Sequence, residues 1–340
     1  MRTFAKLTPE DKKPFFDTAA EKVGLPYHIV EKDFWVCWLL DILFSMDEIK
    51  DHLTFKGGTS LSKVYDKIRR FSEDVDISVE KSYLGFEGEK DPSQASGSKQ
   101  RKRLLKELSE GCKEFVQNRL KSELENIIKF EFNGTDLDWE IEIDSSDNDG
   151  QTLLFKYPTN DKRASDYVRP SVKIEVGARA DHWPIEMNKV ISYVAQGVPA
   201  GIENKEAEIR VLSIERTFWE KATILHMFAN YPEDKKVPIR NSRHYYDIYC
   251  LIVSDAKDKA MGRIDLLEKV AEHKDIYFRA GWTDYDGAKN KKTLKLIPGE
   301  RVLNEMKKDY QAMEEMFFDS PPDWDEIISS IENFEKALRS

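Results

Sequence analysis

The stretch FKGGTSLSKVYDKIRRFSEDVDISV, Phe55 to Val79, limits the possible folds more than any other part of the chain. It sets two adjacent glycines between a short apolar strand, Leu53 to Phe55, and a short helix expected over Ser60 to Ile68. A second strand, Val75 to Val79, follows with Asp74 and Asp76 at its start. Glycine is costly inside regular structure, so a pair at a strand-to-helix junction implies a tight turn or a close approach of backbone to a ligand. Asp74 and Asp76 are two residues apart and so project to one face of a strand. Carboxylates held that close repel unless a cation lies between them, and hard oxygen ligands suit Mg²⁺ or Mn²⁺. Each feature alone has an ordinary reading, as a plain turn or as an edge strand with its acids in water. In this order and spacing they predict a metal–phosphate site. Gly57 and Gly58 would admit phosphate to the first N–H groups of the helix, with the Thr59 and Ser60 hydroxyls beside it. The spacing differs from GxxxxGK[ST], so this is not a P-loop.

The rest of the chain supplies a scaffold for such a site. Pro9 to Val23 and Tyr27 to Phe44 read as helices, and a longer one is expected over Gln100 to Ile128. Strand patterns then take over: LDWEIEI, TLLFKY, VKIEVGA, VISYVA and EIRVLSI. From Glu215 onward the pattern is largely helical, and the prolines of DSPPDW end one helix ahead of the last. The expected fold class is α+β over residues 1–210, followed by a helical domain over 211–340.

Composition narrows the partners. The formal net charge is −10, so any nucleic acid would have to meet a local basic patch rather than a basic surface. One such patch, Lys99, Arg101, Lys102, Arg103 and Lys106, crowds a helix start; a solvated helix face is its plainer reading. The run FWVCWLLDILF is too short to span a bilayer and is broken by Asp41. Three scattered cysteines argue against a disulfide framework. A cytoplasmic protein with no membrane partner is expected.

Two further residues stand out. Lys221 in RTFWEKATILHMF shares a helix face with Phe218 and Leu225, so its ammonium must snorkel or meet something specific. Asp247 in RHYYDIYCL lies on a stripe with Cys250 and Leu251, where an unpaired charge would be expensive. The two could be salt-bridged to one another.

The segment FKGGTSLSKVYDKIRRFSEDVDISV resembles the signature of the AbiEii/AbiGii nucleotidyltransferase-like toxins, a branch of the DNA polymerase β-type superfamily. VEKDFWVCWLL resembles the helix that precedes the signature, and LSIERTFWEKATILH and RHYYDIYCL resemble two later motifs. The resemblance implies a polymerase β-type core with a mixed or antiparallel sheet. It implies a Mg²⁺- or Mn²⁺-dependent enzyme that transfers a nucleotide from a nucleoside triphosphate and releases pyrophosphate. Asp74 and Asp76 would hold the metal, with Glu175 of VKIEVGA as the third carboxylate; a solvent-facing strand residue is the alternative for Glu175. Lys56, Gly57, Gly58, Thr59, Ser60 and Lys221 would bind the nucleotide. Lys221 and Asp247, from the helical domain, would complete the catalytic set. The family further implies the toxin of a type IV toxin–antitoxin or phage-defence system, with a DNA-binding antitoxin encoded alongside and tRNA as the acceptor. Competing readings are transfer to a protein or small molecule, and a nucleotide-binding module without transfer.

Overall fold

The alternation of apolar and polar residues along the strands becomes the two faces of one mixed sheet in the computed structural model, which describes residues 1–72, 74–160 and 170–340. Glu73, inside the opening stretch, lies outside the described residues. The strands are β1 (Leu53–Lys56), β2 (Val75–Val79), β3 (Glu140–Ile143), β4 (Thr152–Lys156), β5 (Ser171–Gly177), β6 (Ile185–Ile191) and β7 (Glu206–Leu212). They lie side by side in the order β3-β4-β5-β2-β1-β7-β6. The β2–β5 and β1–β7 pairs are parallel, whereas β1–β2, β3–β4 and β4–β5 are antiparallel. The expected α+β class with a mixed sheet is what forms.

Side chains alternate between the two faces of the sheet. Phe55, Val75, Ile77, Leu153, Phe155, Val172, Ile174 and Val211 share one face and are buried. That face is covered by the helix Tyr27–Leu43, whose Trp35 and Trp38 rings lie 5.9 and 5.6 Å from Phe155. Full burial of a ring such as Phe155 stabilises the fold by roughly 1.5–3 kcal/mol. The opposite face carries Thr54, Lys56, Asp76, Ser78, Lys173 and Glu175. The hydrophobic period thus decides which face can do chemistry.

Local structure departs from expectation in three places. The helix after the glycines spans Gly57–Lys63, so it starts at the first glycine and ends earlier than Ile68. The long helix is continuous from Ser98 to Glu131 but contains a π-helical turn at Phe115–Leu120. VISYVA is not a strand: β6 ends at Ile191, and Ser192 starts the helix Tyr193–Gly197, its Oγ accepting from the Ala195 N–H at 3.4 Å. A serine placed to cap a helix overrides the β-preference of the valines on either side.

The chain divides into two compact units, Met1–Val64 with Ser72–Val211, and Tyr65–Phe71 with Leu212–Ser340. The first contains the sheet. The second packs helices that include Ile214–Ala229, Arg243–Ile252, Glu300–Gln311 and Trp324–Arg339, with Phe218 and Phe334 in ring contact at 5.5 Å. Residues 65–71 are stitched into this second unit by backbone bonds, from Phe71 N to Met316 O at 2.7 Å and from Phe318 N to Arg69 O at 3.1 Å. Among the described residues, no helix is long and apolar enough to cross a membrane. Cys37, Cys112 and Cys250 are free thiols.

Candidate active site

In the first unit, β1 delivers the chain to Gly57, which adopts φ +81°, a conformation that L side chains rarely take. The space in front of its Cα is filled: a Cβ there would stand 1.9 Å from Asp76 Oδ2. Two separate demands, backbone conformation and a carboxylate in contact with the turn, therefore require glycine at this position. Asp76 is the register partner of Lys56 on one side and of Glu175 on the other. Asp74 lies one residue ahead of β2 and is near enough to Lys173 for its charge to help raise that lysine's pKa. The turn and the Asp76 carboxylate thus meet at Gly57.

The two hydroxyls that follow the glycines are bonded within the chain. Thr59 and Ser60 are fully buried. Thr59 Oγ1 donates to the Asp74 carbonyl at 2.6 Å and lies 2.9 Å from Ser72 Oγ, while Ser60 Oγ donates to the Gly57 carbonyl at 2.8 Å. These bonds tie the turn and the start of β2 together, since a buried hydroxyl takes a hydrogen-bond partner. The helix is anchored at its far end by Lys63, whose Nζ lies 2.6 Å from Asp33 Oδ1 and 3.6 Å from the centroid of the Tyr193 ring. Asp33 Oδ2 also accepts the Tyr193 N–H at 2.6 Å. Burial alone would lower the Lys63 pKa, but the Asp33 charge holds it above its ordinary value, while burial raises the Asp33 carboxyl in turn.

Glu175 faces the acid side of β5 together with Lys173, and its Oε1 is 2.5 Å from the Lys173 ammonium. Lys173 Nζ is also 4.0 Å from Asp144 Oδ2. Partial burial works against the charge on Lys173, yet Glu175, Asp74 and Asp144 raise its pKa. Among the described residues, no group of three or more His, Cys, Asp or Glu side chains is gathered closely enough to hold a metal ion. The donor chemistry nevertheless suits a divalent ion. The Asp76 carboxylate lies on the polar face of the sheet, and Mg²⁺ is commonly held by one or two carboxylates plus substrate phosphates. Glu175 stands beside Asp76 in register, with a cation already on its carboxylate.

On the same face, His182 bridges a second register pair, with Nδ1 2.8 Å from Thr54 Oγ1 and Nε2 3.1 Å from Ser78 Oγ. Burial is the main reason its pKa falls to about 4, so the ring is neutral near pH 7.

In the second unit, Lys221 and Asp247 are salt-bridged, Nζ to Oδ2 at 2.7 Å. Asp247 is fully buried and also takes a two-pronged contact from Arg70, Nε to Oδ1 at 2.8 Å and Nη2 to Oδ2 at 2.9 Å. His244 Nδ1 lies 3.2 Å from Lys221 Nζ. Burial, then the charges of Lys221 and Arg243, push His244 well below its usual pKa, so it accepts from the lysine. Burial opposes the Asp247 charge, but Arg70 and Lys221 hold its carboxyl well below the ordinary range. Burial, with Arg70 nearby, lowers Lys221 against the pull of Asp247. One carboxylate here serves two cations, so the cluster is net positive while Lys221 is protonated.

In the sequence Arg70 reads as a possible phosphate contact or, more often, a surface ion pair, whereas it is buried against Asp247. The Lys173 contact with Glu175 and the His182 bridge also lacked a sequence signal beyond strand alternation. His226 is structural, since its Nδ1 accepts the Lys295 N–H at 2.9 Å and its Nε2 lies 2.9 Å from the Asp284 carbonyl.

Solved structures similar to the chain include MenT4, a nucleotidyltransferase toxin from Mycobacterium tuberculosis, with 16% identity, TM-score 0.46, and 96% of this chain and 99% of that one covered. JHP933 from Helicobacter pylori matches at 16% identity and TM-score 0.40, over 91% of this chain and 90% of that one. No curated protein matches the chain. The family described as nucleotidyl transferase AbiEii toxin, type IV toxin–antitoxin system, matches residues 38–339, from within the buried helix through nearly all of the last one. Over that span the chain belongs to the AbiEii family of nucleotidyl transferase toxins.

Proposed function

We propose that the protein transfers a nucleotide from a nucleoside triphosphate to the acceptor end of tRNA in a reaction that depends on Mg²⁺ or Mn²⁺. The observation that carries this reading is the contact between the Gly57 turn and the Asp76 carboxylate. A phosphate resting on the turn would lie beside that carboxylate, where like charges tolerate one another only with a cation between them. Asp74 and Asp76 would hold the cation. When bound, it would offset charge on the triphosphate and on the entering and leaving oxygens. The backbone of the turn Lys56, Gly57 and Gly58 seats the β and γ phosphates, and Thr59 and Ser60 fix its shape. Lys221 supplies a compact positive charge toward the triphosphate, and Asp247 with Arg70 holds that lysine in place. An acceptor hydroxyl attacks the α-phosphorus: its oxygen–phosphorus bond forms, the bond to the β-phosphate bridge breaks, and pyrophosphate leaves. Glu175 takes the hydroxyl proton as general base.

Membership of a type IV toxin–antitoxin family implies a nucleoside triphosphate substrate and an antitoxin partner. We assign the antitoxin to a DNA-binding protein encoded alongside, and the setting to abortive infection and phage defence in the cytoplasm. The basic start of the helix Ser98–Glu114, where Lys99, Lys102, Arg103 and Lys106 are exposed, supports an RNA acceptor.

The test incubates the protein with Mg²⁺, each labelled nucleoside triphosphate in turn and total bacterial RNA, with Asp76→Ala as control. Label in a tRNA-sized band that the variant does not produce is the expected result. Label on a protein or small molecule instead would keep the transfer and discard tRNA. No label on any acceptor would contradict the proposal.

A further inference from the structure

Lys221 lies on the helix Ile214–Ala229 and His244 on the first turn of the helix Arg243–Ile252, both in the second unit. A lysine ammonium has three N–H donors and no lone pair. Asp247 Oδ2 accepts one at 2.7 Å and His244 Nδ1 a second at 3.2 Å. Among the described residues nothing accepts the third, although the Lys221 side chain is only 9% exposed. A donor so deeply placed ordinarily has a partner, so the third N–H leaves room for a ligand oxygen.

The same bond decides where the imidazole carries its proton. A protonated lysine can only donate, so Nδ1 holds the lone pair and the hydrogen sits on Nε2. Burial, then the charges of Lys221 and Arg243, oppose a second proton, so the ring stays neutral. His244 is half-buried, and among the described residues its Nε2–H has no acceptor. Charge calls for the same kind of ligand. Lys221, Arg243 and Arg70 all act on the ring, with Asp247 opposing them. Arg70 is committed to Asp247 through Nε and Nη2, whereas Arg243 has no ion pair among the described residues. An anion with several acceptor oxygens suits such a cluster, and a phosphate chain is one.

We propose that His244 donates its Nε2–H to an oxygen of the substrate's phosphate chain, beside the oxygen that Lys221 holds. The inference rests on the reading of Lys221 as the cation that meets the triphosphate. His244 is a binding residue, and its bond to Lys221 sets the tautomer that makes it one.

The experiment uses inorganic tripolyphosphate with Mg²⁺ as probe, followed by calorimetric titration and by proton–nitrogen NMR of isotope-labelled histidine. In the native protein near pH 7 the His244 proton is expected on Nε2, assigned by its loss in His244→Gln, and its resonance should shift when tripolyphosphate is added. A proton on Nδ1, or a resonance that does not move, would overturn the proposal. His244→Asn keeps an acceptor near Nδ1 for Lys221 but lacks a donor at the Nε2 position, and should weaken binding about tenfold. His244→Gln places an amide donor there and should stay within about threefold of the native affinity. The reverse order would mean that His244 serves Lys221 alone, and equal affinities in the two variants would leave the donor without effect; either result overturns the proposal. Lys221→Met separates the two layers. Weaker binding there, with His244→Asn like the native protein, removes the role of His244, whereas native-like binding in Lys221→Met removes the reading on which it rests.

Discussion

Gly57 is where sequence and chemistry meet most directly. Its positive φ alone would cost an alanine roughly 1–2 kcal/mol. The added methyl would also have to displace the Asp76 carboxylate. Gly57→Ala is therefore expected to lower activity by about a hundredfold or more, since an error of about 1 Å at a reacting group has that effect. Thermal unfolding should show a folded protein of modestly reduced stability. Asp247 makes the opposite case. Asp247→Ala would leave Arg70 buried without its partner and Lys221 without its anchor, so a loss of about 3–5 kcal/mol is expected in denaturant unfolding. The acids can be singled out in the sequence because period-two spacing in a strand and a stripe on a helix are local patterns. Their partners cannot. Arg70 and Asp247 are 177 residues apart, and nothing local records a contact that long in the chain. The bonds of the Thr59 and Ser60 hydroxyls to backbone oxygens likewise depend on burial, which the residue types alone do not record.

Strand alternation foretold the polar and apolar faces of the sheet, and β2 and β5 lie where their patterns placed them. It did not foretell strand order. The neighbouring of β2 and β5, which sets Glu175 beside Asp76, joins segments separated by nearly a hundred residues. The error at VISYVA has a local cause, since a helix cap and a strand compete for the same few residues and Ser192 decides between them. The polar face also carries a pH dependence through His182, which links β1 and β2. Its pKa falls from an ordinary 6.5 to about 4 in the folded chain, chiefly through burial. The unfolded chain therefore takes up the proton first. This contribution to stability is complete above pH 6.5 and is lost as pH falls toward 4. Allowing for residual exposure, it amounts to about 1–2 kcal/mol. Denaturant midpoints measured from pH 7 to pH 4 should fall less steeply in His182→Gln than in the native protein; parallel curves would exclude this role.

A change in periodicity near residue 210 is the sequence's signal for an α+β part and a helical part. The membership of residues 65–71 in the second unit has no such signal, because a short segment carries no period of its own. A chain of net charge −10 repels a nucleoside triphosphate at long range, so recognition has to rely on local positive charge. In the function proposed above, that charge comes from a divalent ion on Asp74 and Asp76 and from Lys221. The most direct test is calorimetric titration with a non-hydrolysable nucleoside triphosphate, with and without Mg²⁺, on the native protein and on Asp76→Asn. The account predicts binding that requires Mg²⁺ and weakens at least about tenfold in the variant, with thermal stability unchanged. Equal affinity and equal Mg²⁺ dependence in the two proteins would contradict it.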